Sequence, residues 1–289
     1  SKVAISGLGN LILADVGGTA TFNANIAAAA FTTNNTVASI NLKGASNTFT
    51  GSTIFANDGT LTIGDASSDS FAFNGGLSTT SVGGTVTLNA SSISSSNDAI
   101  AFGAVTLGSN VTIDTNATST AGDINIGAVT GGSNTLTLST GNNIANSDVT
   151  ASGAIRGVTT LTLIDVGGIA SFAADVDVTT LTIGNTVANV SLTGSGSSVT
   201  NAVTFGNDGT LTIGDASGDT FTFDGGLTVS TASSTLAGSI DSTNDDITFG
   251  AITLATATTI DTNAADTTGD IIIGAVTGAN NNLTLDTTT

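Results

Sequence analysis

The sequence predicts an all-β protein, folded as a right-handed parallel β-helix, or β-solenoid. Three observations lead there. Leu, Ile, Val and Phe alternate with Thr, Ser, Asn, Asp and Gly along almost the whole chain, while the helix formers Glu, Gln, Lys, Arg and Met are nearly absent. Proline, which would break strand ladders, does not occur in the 289 residues. The chain also repeats at two levels, which is how stacked architectures announce themselves.

The long repeat is read directly. Asp15-Val16-Gly17-Gly18 recurs as Asp165-Val166-Gly167-Gly168, and the ten residues Asn57 through Ala66 recur unchanged as Asn207 through Ala216. Phe71-Ala72-Phe73-Asn74-Gly75-Gly76-Leu77 recurs as Phe221-Thr222-Phe223-Asp224-Gly225-Gly226-Leu227, again 150 residues on. Ile113-Asp114-Thr115-Asn116 matches Ile260-Asp261-Thr262-Asn263 at an offset of 147, so three residues are lost near 230–243. The chain therefore reads as one solenoid, 1–289, built of two super-repeats, about 1–150 and 151–289.

A shorter period lies inside. Leu61-Thr62-Ile63, Val86-Thr87-Leu88, Val111-Thr112-Ile113, Leu136-Thr137-Leu138 and Leu161-Thr162-Leu163 follow one another at 25 residues. Phe71-Ala72-Phe73, Ile100-Ala101-Phe102 and Ile124-Asn125-Ile126 form a second set, and Val105-Thr106-Leu107 and Gly127-Ala128-Val129 a third. Each 25-residue unit thus carries three short strands of period two, separated by Gly, Asn, Asp or Ser turns. Leu61 and Ile63 point one way, and Thr60 and Thr62 the other. One unit cannot bury its apolar face alone, so the units stack into a three-sided coil with a dry interior. The expectation is 11–12 coils of 25 residues, a rod on the order of 55 Å long, wound right-handed as parallel crossovers are.

Composition narrows the function classes. The 22 acidic residues are all Asp, only Lys2, Lys43 and Arg156 are basic, and the net charge is −19. Binding to nucleic acid or to an anionic membrane surface needs Lys and Arg, so neither is expected. No apolar run is long enough for a transmembrane helix, and no Met or basic segment of a signal peptide stands at Ser1, which reads as a mature or excised form. With no Cys, disulfide frameworks and thiolate zinc sites are excluded. Scarce Lys and Arg leave few sites for trypsin-like proteases, which suits an exposed extracellular life.

Strings such as Gly18-Thr19-Ala20-Thr21-Phe22-Asn23-Ala24-Asn25, Thr180-Leu181-Thr182-Ile183-Gly184-Asn185 and Gly122-Asp123-Ile124-Asn125-Ile126-Gly127-Ala128-Val129 resemble the repeats of bacterial autotransporter passengers and filamentous-haemagglutinin-type adhesins. The resemblance covers nearly the whole chain. It implies a secreted β-helix at the cell surface, with a host or surface receptor as a possible partner, and it carries over no catalytic residues.

Catalysis has little to work with. His, Cys, Tyr and Glu are absent, and the nearest acidic cluster, Asp241, Asp245 and Asp246, has no Lys or Arg close in sequence. The expectation is a non-enzyme. Calcium is the one candidate cofactor. Asp65 and Asp69 flank one turn and Asp215 and Asp219 its equivalent, and stacked carboxylates are hard oxygen ligands. The plainer reading is that these aspartates form turns. Thr60/Thr62, Thr85/Thr87, Thr135/Thr137, Thr160/Thr162 and Thr210/Thr212 read as a flat outward rank, the kind of surface that binds ice; the plainer reading is that Thr is a good outward strand residue. The 12 Phe, mostly at inward positions such as Phe71, Phe102 and Phe223, read as core.

The two ends suggest assembly. Ser1 to Ile5 aligns with Ala151 to Ile155, and Thr289 with Asn142, so only residues 143–150 of the super-repeat separate the end from the beginning. Neither end carries a capping unit, and an uncapped stack is a template for pairing. Either the chain polymerises head to tail with copies of itself, or it is an excerpt of a longer array. The candidate joint is Ile5, Leu11 and Leu13 against Leu283 and Leu285 of a neighbour. The expected function is a structural subunit of an extracellular filament, surface layer or matrix; the alternative is a stalk or binding module of a larger adhesin.

Overall fold

The computed structural model describes residues 3–231, 233–265 and 268–288, which form 33 strands. Ser1 and Thr289, whose phases were compared above, lie outside them. The strands pair in parallel and stack into a β-solenoid of about 13 coils, consistent with a right-handed β-helix.

Three stacks of strands run along the rod, one per face, and two of them are continuous ladders. The Leu61 face carries inward Ala20, Ile40, Leu61, Val86, Val105, Val129, Ile155 and Val176 in register. Asp177 pairs with Ser198, and the same ladder continues through Ser197, Phe221, Ile240 and Ile260 to Leu285. The Leu138 face stacks Phe71, Ile93, Ile113, Leu138, Leu163 and Ile183. Further on, a short separate sheet pairs Val203, Leu227, Ile247 and Ile271. The Leu211 face stacks Leu77, Ile100, Ile124, Val149, Ala170, Val190, Leu211 and Ser234, then Ile252 and Val276.

The registers correct the expected coil length. The 25-residue step from Leu61 to Val86 is followed by a step of 19 to Val105, and steps range from 18, Ser234 to Ile252, to 26, Val129 to Ile155. The mean is about 22 residues between Ala20 and Leu285, so the rod has more and shorter coils than 11–12. At about 4.8 Å per coil it is on the order of 60 Å long. The cause is physical: ladders fix the strands, whereas the turns between them are free to differ in length.

The super-repeat is also out of step with the faces. Leu61 and its copy Leu211 lie on different faces, as do Phe71 and Phe221. One super-repeat spans about six and two-thirds coils, so the second copy is turned by a third of a turn about the axis relative to the first. The sequence unit is the strand with its turn, and three successive units make a coil.

The interior is packed with Leu, Ile, Val and Phe. Phe49 and Phe73 stack with ring centroids 5.1 Å apart and planes 8° from parallel, and Phe31 meets Phe55 edge to face at 5.0 Å. Each such side chain contributes roughly 1.5–3 kcal/mol by leaving water. Polar corners are tied from inside. The buried Asn57 amide donates to the carbonyl oxygens of Ala38 and Thr60, and Asn207 repeats this with Ala188 and Thr210. Bends use left-handed residues at matching places in both copies: Asp15 and Asp165, Asn97 and Asn244, Asn116 and Asn263. At Gly64 (φ 89°) a Cβ would fall 2.2 Å from the Asn89 carbonyl oxygen, and at Gly214 (φ 78°) 2.3 Å from that of Ala237, so the adjacent coil forbids a side chain there.

Outside, hydroxyls fill the centres of the faces. Thr62, Thr87, Thr106 and Thr130 form one column, Thr112, Thr137, Thr162 and Thr182 a second, and Thr212, Thr235, Thr253 and Thr277 a third. The threonines that looked like a single rank are therefore shared among three faces. The most regular block is Thr135/Thr137, Thr160/Thr162 and Thr180/Thr182, three coils deep.

Candidate functional site

The Asp-lined turns have a structural job. One oxygen of the Asp69 carboxylate accepts the backbone N–H groups of Asp65 (2.9 Å) and Ala66 (3.1 Å). Asp219 does the same for Asp215 and Ala216, at 2.9 Å each. Both carboxylates are buried, at 3% and 6% exposure, whereas Asp65 and Asp215 are exposed. The Asp69 carbonyl in turn accepts the N–H of Ser91 on the next coil, and that of Asp219 accepts the N–H of Ser239. Each of these aspartates thus closes its own turn and ties it to a neighbour. The turns occupy different corners: Asp65 follows the Leu61 face and Asp215 the Leu211 face. Among the described residues no three Asp side chains gather closely enough to hold a metal ion.

A second acidic feature is a column. Asp241, Asp261 and Asp286 are direct register partners on three successive coils of the Leu61 face. Burial pushes the Asp241 carboxyl above the ordinary range; the Ser239 hydroxyl, donating at 2.7 Å, opposes this, and the charge on Asp261 adds to it. Asp286 is held below the ordinary range by N–H and O–H groups of Thr288, which donate at 3.0 and 2.9 Å. Asp245 and Asp246, grouped with Asp241 by sequence, lie in the turn after that strand, beside a hollow formed with Gly225, Gly226 and Leu227. No lysine or arginine lines that hollow, and one Asp246 oxygen is engaged by the Asp270 N–H at 2.9 Å.

The ion pairs among the described residues are those of Arg156. Its Nη2 reaches Asp175 at 2.7 Å and its Nε reaches Asp177 at 2.8 Å, linking one coil to the next. Sequence spacing gave no hint of this clamp. Arg156 stands 19 and 21 residues before its partners, a separation that only the local coil length turns into contact.

The candidate joint residues divide among the faces. Ile5 pairs with Ile26 at the start of the Leu138 face, and Leu11 and Leu13 pair with Phe31 and Thr33 on the Leu211 face. Leu283 and Leu285 pair with Thr258 and Ile260 on the Leu61 face. Ile5, Leu11, Leu13 and Leu283 pack against the core from its ends, and Leu285 is 52% exposed. The residues of the two ends thus sit on different faces of the coil.

No family model, curated protein or solved structure matches the chain.

Two outcomes follow from the aspartates. Asp69→Ala removes the acceptor for two amides and should lower stability by about 1–2 kcal/mol, by the same amount with or without excess chelator in denaturant titrations. Asp241 has a folded pKa raised above its unfolded value, so its native state favours the protonated form and stability falls as pH rises through that range. Asp241→Asn should therefore stabilise at pH 7, by no more than about 1 kcal/mol because solvent screens a half-exposed group, and the gain should vanish well below pH 4.

Proposed function

We propose that this chain is a structural rod of an extracellular filament, surface layer or matrix, extended by stacking coil on coil, and that it performs no catalysis. The observation that supports this best is the single apolar core that runs the length of the solenoid, broken at few inward positions such as Asn47, Thr53, Ser197 and Ser234, with side chains of the first and last described coils packed against it and open to its ends. Strand edges and apolar side chains at such ends are satisfied by a further coil, whether of the same chain or of another copy. The net charge of −19 keeps rods apart sideways and so favours growth along the axis.

In a head-to-tail stack, matching faces meet. With the ladder registers kept, Leu285 of one copy would then lie over Ala20 of the next, Val276 over Leu11, and Ile271 over Ile5. Leu283 and Leu285 stand on a different face from Ile5, Leu11 and Leu13, the residues expected from sequence to lie near them across the joint. Heterologous contacts of this kind do not close, so they give open filaments. The likeness of the repeats to autotransporter and filamentous-haemagglutinin-type adhesins supports a second reading, the stalk of a larger secreted adhesin that carries its receptor-binding part elsewhere.

Electron microscopy of the purified chain separates the two. The filament predicts long uniform fibres, abolished by Leu285→Asp or Ile5→Asp, because each buries an unpaired charge in the joint. Isolated rods on the order of 60 Å long from the unaltered chain, or fibres unimpaired by both substitutions, would contradict it.

A further inference from the structure

We propose that the concave corner beside Arg156 is a binding groove for a neutral polysaccharide chain. Most strands of adjacent faces are separated by turns, but Ile5–Leu13 with Ile26–Thr33, Ile155–Ile164 with Val176–Ile183, and Ser233–Asp241 with Ile252–Asp261 run through a bend as single strands. At the second of these the register shifts between Arg156 and Val158, and Gly157 is in the left-handed region at φ 67°. The corner is hollowed out, and a groove of about 300 Å³ lies along it. Val158 and Val178 are buried beneath it, and the exposed Ser133, Thr159, Thr179 and Thr200 line it across four coils. One end is walled by Asp177, which the 58% exposed Arg156 holds in place.

The chemistry selects the ligand. Backbone N–H and C=O groups of these strands are taken up in ladders to neighbouring coils, so a peptide cannot add as an extra strand. Recognition falls to side chains, and these are hydroxyls with one fixed guanidinium–carboxylate pair. The Thr159 hydroxyl donates to the Ser133 carbonyl at 2.8 Å and keeps its lone pairs for a ligand. Hydroxyls that both donate and accept, repeated at the coil spacing of about 4.8 Å, complement a chain that is itself a row of hydroxyls. Arg156 neutralises one of the two charges on Asp175 and Asp177, and the net charge of −19 repels polyanions, so an acidic chain is disfavoured and a lining made mostly of hydroxyls suits an uncharged one. With no aromatic side chain in the groove, one site binds on the order of 1 mM, and a fibre carrying many such sites gains by avidity.

Saturation-transfer NMR on the full chain tests this with maltohexaose, cellohexaose and laminarihexaose as neutral probes, and hexagalacturonate as the acidic one. At least one neutral hexasaccharide should receive saturation, and the double variant Thr159→Val/Thr179→Val, which keeps the β-branched shape, should bind about fivefold more weakly with an unchanged melting curve. If that variant unfolds, Ser133→Ala and Thr200→Val should show the loss instead. No transfer to any neutral probe at about 10 mM, equal binding by the variants, or preference for hexagalacturonate would overturn the proposal. Because the readout is binding by the rod itself, a failure here leaves the fibre test untouched, and the reverse holds too.

Discussion

Everything in this molecule follows from how each coil satisfies its backbone. The strands bond along the rod axis, to the coils above and below, and hardly at all within a coil. A coil is therefore incomplete alone, and its apolar side chains are covered only when another coil lies on each side. This single condition sets the inward alternation, requires Gly where coils touch backbone to backbone, and leaves the turns free to vary in length. It also leaves the ends of any such stack open to more of the same fold, which is the physical ground of the structural role proposed above.

The same condition explains why the super-repeat can ignore the faces. Duplicated segments are turned by a third of a turn, yet Leu61 and Leu211 are both fully buried, and Asp69 and Asp219 cap their turns alike. Three faces with equivalent interiors accept the same strand interchangeably. One consequence is that a motif occurring once per super-repeat is displayed around the rod, so no face accumulates a specialised surface merely through duplication. Local features such as the Arg156 clamp arise instead where the two copies have diverged: Asp175 and Asp177 stand where the first copy has Asn25 and Ala27.

The strands were legible in the sequence because period-two alternation and flanking turn residues are local signals. Leu61–Ile63, Phe71 and Phe73, and Val111–Asp114 fall where the pattern puts them. Which strands stack on which was not legible. Val86 and Val111 share a 25-residue spacing with Leu61 and Leu136, yet Val86 pairs with Val105 and Val111 with Leu136 on another face. Pairing depends on the length of each turn, and turn length leaves no periodic trace. Turn-forming Asp was a correct plain reading at Asp69 and Asp219, since a buried carboxylate accepting two amides is what such turns use. The groove was invisible because its lining, from Ser133 to Thr200, comes from four coils that only the stacking brings together.

Cross-linking offers the most direct test of the stacking, and the absence of native cysteine makes it clean. Thr87 and Thr106 are outward register partners on adjacent coils, whereas Thr112, on the 25-residue lattice from Thr87, stands on a different face. Adjacent parallel strands bring paired Cα atoms within disulfide reach, and separate faces do not. The Thr87→Cys/Thr106→Cys chain should form an intramolecular disulfide under mild oxidation, seen as a loss of two hydrogens in its intact mass, and the Thr87→Cys/Thr112→Cys chain should keep two free thiols. A disulfide in the second chain and not in the first would contradict the ladder registers and, with them, the turned super-repeat and the face-on-face joint.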